Sequence, residues 1–259
     1  MNTAQRRQLL SDRVAEVGEV GFAHAAELYG VSEMTIRRDV EALESQGLVR
    51  RVPGGVISTG SYEPTIASRV LTQSREKEGI ARAAADLLVP GECVLIDSGS
   101  TALAVAKAIR GRRLGLTVVT PNLLAGLELV DEEGTSVILP GGELRPGEMS
   151  LIGPETIQAY GTYNIDTYLM GVGGVDAERG ISDYNRSEAA KKRAGVTASH
   201  RVIVCVDASK LDRFFLSSVA TLKDVDVLVT DGAPDNRTIE AARRAGVQVV
   251  LVEPPASAG

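Results

Sequence analysis

From Thr3 to about Val17 the apolar residues Leu9, Leu10, Val14 and Val17 return at helical spacing, which predicts a first helix. Gly18 and Gly21 interrupt it. Phe22 to Tyr29 supports a short second helix, with Ala25, Ala26 and Leu28 suited to close packing, and Gly30 follows where positive φ costs little. Val31-Ser32 has the form of an N-cap, the Ser32 hydroxyl being able to accept an amide of the next turn. Thr35 stands three residues on, so the glutamate form of the capping box is absent. A third helix then runs to about Ser45, burying Ile36, Val40 and Leu43, with Gly47 as its end. Glu33, Met34, Arg37 and Arg38 fall off that stripe. LVRRVPGGV adds a short β-like run carrying Arg50 and Arg51, turned back at Pro53-Gly54-Gly55. Helix, short helix, turn, helix and hairpin is the order of a winged helix-turn-helix.

Beyond Gly55 the period is lost, and residues 58–73 read as a linker between residues 1–57 and 74–253. Arg75 to Leu88 resumes a helical pattern through Ile80, Ala84, Leu87 and Leu88. Seven apolar runs then each end in a small or acidic group: CVLID97, LTVVTPN122, VILPGG142, YLMGVGG174, VIVCVD207, VLVTD231 and VVLVE253. Helical stretches such as ALAVAKAI and IEAARRAG lie between several of them. Short buried strands alternating with helices predict an open, mostly parallel α/β sheet. Residues 254–259 read as a flexible tail.

Composition sharpens this picture in a few places. A length of 259 residues favours two domains, and 44% hydrophobic with 24% charged residues allows a sizeable core. No apolar run is long enough to suggest a membrane span, and MNTAQRRQLLSDR breaks into charge before a signal-peptide core, so a cytoplasmic protein is expected. Cys93 and Cys205 sit alone in strand-like runs and read as buried thiols; His24 and His200 have no partner at ligand spacing. Neither a metal nor a cofactor is expected. The net charge is −6, and residues 1–56 carry seven Arg and no Lys against eight acidic side chains. DNA binding must therefore come from where the arginines sit.

In a winged helix-turn-helix the third helix enters the major groove. The candidate DNA-facing residues are accordingly Ser32, Met34, Thr35, Arg37, Arg38, Arg50, Arg51, Gly54 and Gly55. Pattern alone leaves open a small helical bundle that binds protein or nothing. In the second half, loops at the carboxyl ends of parallel strands line the ligand cleft. Asp97, Ser98, Gly99, Ser100 and Thr101 follow one strand and open a helix, where free amides and hydroxyls accept an anion. Gly141, Gly142, Glu143 and Gly173 stand at other strand ends, and Lys210 in VDASK brings a cation to the same rim. Together they point to a small phosphorylated ligand. Taken singly, each glycine group is an ordinary turn and the Asp97–Thr101 loop an ordinary N-cap. Glu188 and Lys191, three apart in NRSEAAKKR, read as a surface ion pair.

VSEMTIRRDVEALESQGLVRR…GG closely resembles the helix-turn-helix of the DeoR family of bacterial transcription regulators. The match runs through Ser32, Thr35, Ile36, Arg37, Arg38, Asp39, Leu43, Gly47, Leu48, Arg50 or Arg51, Gly54 and Gly55. Val40 stands where the family has leucine, and Pro53 where it often has histidine. From about Pro64 to Val252 the chain also resembles the family's C-terminal domain, through DSGST, the VILPGGE glycines, GVGGVD with Gly180, and Asp207-Ala-Ser209-Lys210. Pro121 separates Thr120 from Asn122, where the family often has Thr-Asn. The resemblance implies a fold related to ribose-5-phosphate isomerase and the coenzyme-A transferases. It also implies a sugar-phosphate sensor, usually on a repressor of a carbohydrate operon. The expected partners are double-stranded operator DNA, a small phosphorylated sugar and further copies of the chain, as dimer or tetramer. Two other classes stand beside this reading: a phosphosugar isomerase-like enzyme with an appended helical domain, and a helical adaptor.

Overall fold

The computed structural model describes residues 2–17, 19–45, 48–58 and 65–253. Gly18, Gly47, residues 59–64 of the expected linker and the expected tail at 254–259 lie outside them. The chain divides into two compact units, Met1–Ser68 and Arg69–Gly259.

The first unit holds helices α1 (Thr3–Val17), α2 (Phe22–Tyr29) and α3 (Glu33–Ser45), and strands β1 (Glu19–Gly21), β2 (Val49–Val52) and β3 (Gly55–Ser58). Gly30 ends α2 in the left-handed conformation, and the Ser32 hydroxyl accepts the Thr35 amide at 3.2 Å as α3 begins. Leu10, Val14, Phe22, Ala25, Ile36, Val40, Leu43, Val49 and Val56 form one core. The sequence reading foresaw a two-stranded wing; the sheet has three strands, because β1 pairs antiparallel with β3. That pairing explains the double glycine. Gly54 has φ of 83°, and its carbonyl accepts the Phe22 amide at 3.0 Å. A Cβ on Gly55 would lie 2.7 Å from the Val20 carbonyl, so only glycine lets the two strands close. Asp39 is also buried here, accepting from Arg6 Nε at 2.6 Å and Arg7 Nε at 2.8 Å.

The second unit is built on a seven-stranded sheet in which every pairing is parallel. Helix α4 (Ile66–Leu71) spans the boundary between the units, so part of the linker expected at 58–73 is helical, and α5 (Ser74–Ala85) follows. The chain continues through β4 (Cys93–Ile96), α6 (Ser100–Ile109), β5 (Thr117–Val119), α7 (Leu123–Leu129), β6 (Ser136–Ile138), a hairpin of β7 (Glu143–Arg145) and β8 (Ser150–Ile152), and α8 (Pro154–Tyr160). Next come β9 (Ile165–Gly171), β10 (Gly174–Asp176), β11 (Gly180–Asp183), α9 (Arg186–Ala198), β12 (Ser199–Cys205), β13 (Ser217–Ala220), β14 (Val227–Thr230), α10 (Arg237–Arg244) and β15 (Gln248–Leu251). The large sheet runs β15-β14-β12-β9-β4-β5-β6, and β10, β11 and β13 form a small antiparallel sheet of their own.

All seven apolar runs of the sequence are the seven strands of that sheet. Alternate residues feed two cores, as a sheet covered on both faces requires. Val94, Ile96, Ile203 and Val229 pack with Ile80, Ala84, Val105 and Ile109 on one side. Leu95, Val202, Val204 and Leu228 pack with Tyr168, Ala189 and Ile239 on the other. Cys205 is buried, and burial pushes its thiol up to about 12; Cys93 is only half-buried, which corrects the expectation of two buried thiols. Among the described residues no helix is long and apolar enough to cross a membrane.

Candidate functional site

The polar side of α3 is open. Ser32, Met34, Arg37 and Arg38 are exposed, and Thr35 is half-buried with its hydroxyl 3.0 Å from that of Ser32. The Arg37 guanidinium lies 4.3 Å from the centre of the Phe22 ring and 3.5 Å from Glu33, which sets its direction across the helix. Arg50 and Arg51 are exposed on β2, and Arg51 leans on Glu44 at 3.9 Å. Arg38 and Arg50 have no partner among the described residues. Gly54 is exposed at the tip of the wing, whereas Gly55 is buried, so its place in the candidate set is explained by packing.

In the second unit the carboxyl ends of β4, β5, β9 and β12 converge. Gly99, at φ of 94°, precedes α6, and no side chain caps that helix. The amides of its first turn therefore lack the partner that Asn122, Asn185 and Asn236 each supply at α7, α9 and α10. Ser100 is buried and Thr101 half-buried at this start. Asn122 braces the loop: its Nδ2 donates to the Gly99 carbonyl at 3.3 Å while its Oδ1 caps α7.

Beneath the loop lies a paired charge cluster. Lys192 Nζ donates to Asp97 and to the Gly171 carbonyl at 2.6 Å, and lies 3.5 Å from Asp183. Glu188 accepts from Ser98 Oγ at 2.7 Å and Ser150 Oγ at 2.8 Å; it pairs with Lys191 at 2.7 Å and Arg145 at 3.3 Å. Lys191 Nζ also donates to Ser98 Oγ at 3.0 Å. This overturns the reading of Glu188 and Lys191 as a surface pair, because both are buried. Burial alone would raise the Glu188 pKa; the Lys191 and Lys192 charges, with bonds from Lys191 and Ser98, outweigh it and hold the carboxyl well below the usual range. For Lys192 burial works downward, and Asp97, Asp183 and Glu188 overcome it, keeping the ammonium charged.

The remaining rim residues divide. Lys210 is half-buried, with Nζ 3.4 Å from the Tyr184 hydroxyl and 5.6 Å from the centre of its ring. Lys77 joins Lys210 by charge: burial draws its ammonium down to about 8, Asp207 opposes the fall, and Lys210 and Arg69 add to it. Gly173 is no free donor, since its amide is given to the Ser182 carbonyl at 3.2 Å. Gly141 accepts the Thr156 hydroxyl at 2.6 Å, and a Cβ on Gly142 would meet that hydroxyl at 2.3 Å. Glu143 is exposed on β7 and shares a shallow cavity with Gly142, Gly153, Pro154 and Glu155. Two carboxylates there make poor company for an anion. Asp97 and Ser98 are taken up by the charge cluster, Gly99, Ser100 and Thr101 stand at the uncapped start of α6, and Lys210 lies beside Tyr184, while packing and backbone bonds account for Gly142 and Gly173.

Sequence reasoning missed Lys192, Asp183, Arg145, Lys77 and Arg69. The doubled lysine beside SEAA was the available signal, since a helix with Ala and Gly rather than an apolar stripe can still bury its charges. Among the described residues no group of three or more His, Cys, Asp or Glu side chains is placed to hold a metal ion.

The chain matches two family models: a DeoR-like helix-turn-helix domain at residues 6–61 and a DeoR C terminal sensor domain at residues 72–232. It is 31% identical to the glycerol-3-phosphate regulon repressor of Escherichia coli K12, over 97% of this chain and all of that protein. It is 34% identical to the transcriptional repressor AccR of Agrobacterium fabrum, over 92% of each chain. A ribose 5-phosphate isomerase A from Methanocaldococcus jannaschii overlaps 54% of this chain and 55% of its own, at a TM-score of 0.41 and 16% identity, a likeness too slight to bear on function. With both models matched in order and curated regulators aligned along nearly the whole length, the chain belongs to the DeoR family of transcriptional regulators.

Proposed function

We propose that this regulator represses a carbohydrate-metabolism operon, binding operator DNA through α3 and the wing and releasing it when a phosphorylated sugar occupies the sensor unit. The observation that carries the DNA half is the exposed, unpartnered Arg38 and Arg50 beside Ser32, Met34, Thr35, Arg37 and Arg51. Arginine in this position bonds guanine bidentately or neutralises phosphate. The wing tip, Gly54, supports a backbone contact only. Recognition by such modules uses two half-sites, so a dimer or tetramer is part of the proposal.

For the ligand, the uncapped start of α6 supplies amides and hydroxyls at Ser98–Thr101, and Lys210 and Lys77 supply positive charge. The name of the Escherichia coli relative, a glycerol-3-phosphate regulon repressor, is in keeping with a phosphorylated metabolite. The enzyme reading is disfavoured by Glu188. A general base works best with a pKa near the working pH, and this carboxyl is held far below it by two lysines. Incubation with ribose 5-phosphate should therefore give no isomerised product.

The test is a pair of titrations. DNA selected from a random pool should bind the wild type, and Arg38→Ala should lose about 1–3 kcal/mol or one unit of salt slope. Calorimetry of sugar phosphates with and without that DNA should show affinities differing by about 5- to 150-fold. Equal ligand affinities in the two titrations would mean that the sensor unit does not control the DNA unit.

A further inference from the structure

Helix α4 contains the boundary between the two units, and its last turn is tied into the sensor unit by two side chains. Arg69, in the fourth position of α4, bonds Glu148, a buried carboxylate in the turn between β7 and β8. Lys77 Nζ, from the first turns of α5, donates to the Arg69 carbonyl at 2.6 Å and the Thr72 carbonyl at 2.5 Å. The end of α4 is thereby clamped from below.

The same guanidinium lies against the candidate phosphate loop. A Cβ built on Gly99 would stand 3.4 Å from Arg69 Nη1, an ordinary contact distance, so the cation lies directly beside the loop. Arg69 thus has a carboxylate on one side and, on the other, Gly99, the residue that precedes the uncapped start of α6. The hairpin that carries Glu148 also carries Arg145 and Ser150, both bonded to Glu188, which bonds Ser98. Glu148 is therefore held by an element linked to the loop through Glu188.

We infer that Arg69 is a ligand of the effector's phosphate group, and that a phosphate dianion on the Ser98–Thr101 loop takes this guanidinium from Glu148. The inference rests on the reading of that loop as the phosphate subsite. A phosphate dianion carries twice the charge of a carboxylate and, like it, matches the guanidinium fork bidentately. Because Lys77 holds the backbone of residues 69 and 72, the exchange is felt in α4, the segment where one unit ends and the next begins.

The experiment uses the full chain and inorganic phosphate as probe, against potassium chloride of equal ionic strength. Hydrogen exchange in the wild type should slow at residues 98–103 and change at residues 66–72. Glu148→Gln, which leaves Arg69 in place without its competitor, should bind phosphate about fivefold more tightly, and Arg69→Gln about tenfold more weakly. A merely structural ion pair predicts the opposite sign for Glu148→Gln, so unchanged or weaker binding in that variant overturns the inference. Protection at 98–103 with no change at 66–72 also overturns it and leaves the sensor reading standing. No protection at either segment overturns both.

Discussion

Two helices carry a glutamate and a cation one turn apart, and the chain treats them in opposite ways. On α3, Glu33 and Arg37 are separated by 3.5 Å with side chains 48% and 47% exposed. On α9, Glu188 and Lys191 are separated by 2.7 Å with side chains 5% and 0% exposed. In the sequence the two pairs look alike. Their difference lies in what surrounds them. Ile36, Val40 and Leu43 occupy the inner face of α3 beside the paired Asp39, and Glu33 and Arg37 lie off that face and point outward. On α9 the inner positions are small: a Cβ on Gly195 would lie 2.8 Å from the Tyr168 ring, and Ala189 is buried. The helix comes close enough to carry its charges to the carboxyl end of the central strand β4, where Asp97, Asp183 and Ser98 satisfy them. A charged pair on the first helix is available to a partner molecule. On the second it is part of the interior.

The sharpest break of this comparison is Lys192→Met. It leaves Asp97 and Asp183 buried with a cation removed, and the second unit should lose about 3–5 kcal/mol in urea denaturation. A loss under 1 kcal/mol would mean the cluster is solvated like the pair on α3. Next in size is Gly55→Ala in the first unit, where the new methyl would meet the Val20 carbonyl at 2.7 Å. Overpacking should cost about 1–3 kcal/mol there, although every exposed arginine nearby is untouched. Third is a pH effect. Lys77 has its pKa lowered from 10.5 to about 8, chiefly by burial. Between those values the unfolded chain holds more protons than the folded one, so stability should rise with pH across that window. The slope is at most about 1.4 kcal/mol per pH unit and should shrink in Lys77→Met. The smallest effect belongs to Arg37→Ala, which should change stability by about 0–1 kcal/mol. A larger loss would show that its contact with Phe22 carries structural weight.

What was legible in the sequence follows the same division. The seven strands were readable because strands buried on both faces must be continuously apolar, as in VLI and VIVC. The third helix was readable because Ile36, Val40 and Leu43 mark a stripe and leave the arginines outside it. Of the candidate site, only the parts that local chemistry marks, Asp97–Thr101 and Lys210, are legible in the sequence. Its buried half was hidden, since the partners of Ser98 and Asp97 stand 90 and 95 residues away in Glu188 and Lys192. Asp39 was hidden for the same reason, its arginines lying 33 and 32 residues earlier in α1. Arg69 carried no signal because its neighbours, Gly99 and Glu148, come from two separate loops.

The order of the large sheet has a consequence for the life of the nascent chain. Its first strand, β4, is flanked by β5 and β9, and Val94 pairs with Thr167 more than seventy residues later. The centre of the sensor cannot close until β9 and β12 have been synthesised, whereas the first unit completes all its pairings by Ser58. At ~5–20 residues per second, the part of the chain after residue 69 takes roughly 10–40 s to emerge. For that interval a finished DNA reader is attached to an unfinished sensor. Until then the chain lacks the strand ends on which the proposed effector site rests, so any response to a metabolite can begin only with the last strands of its sheet.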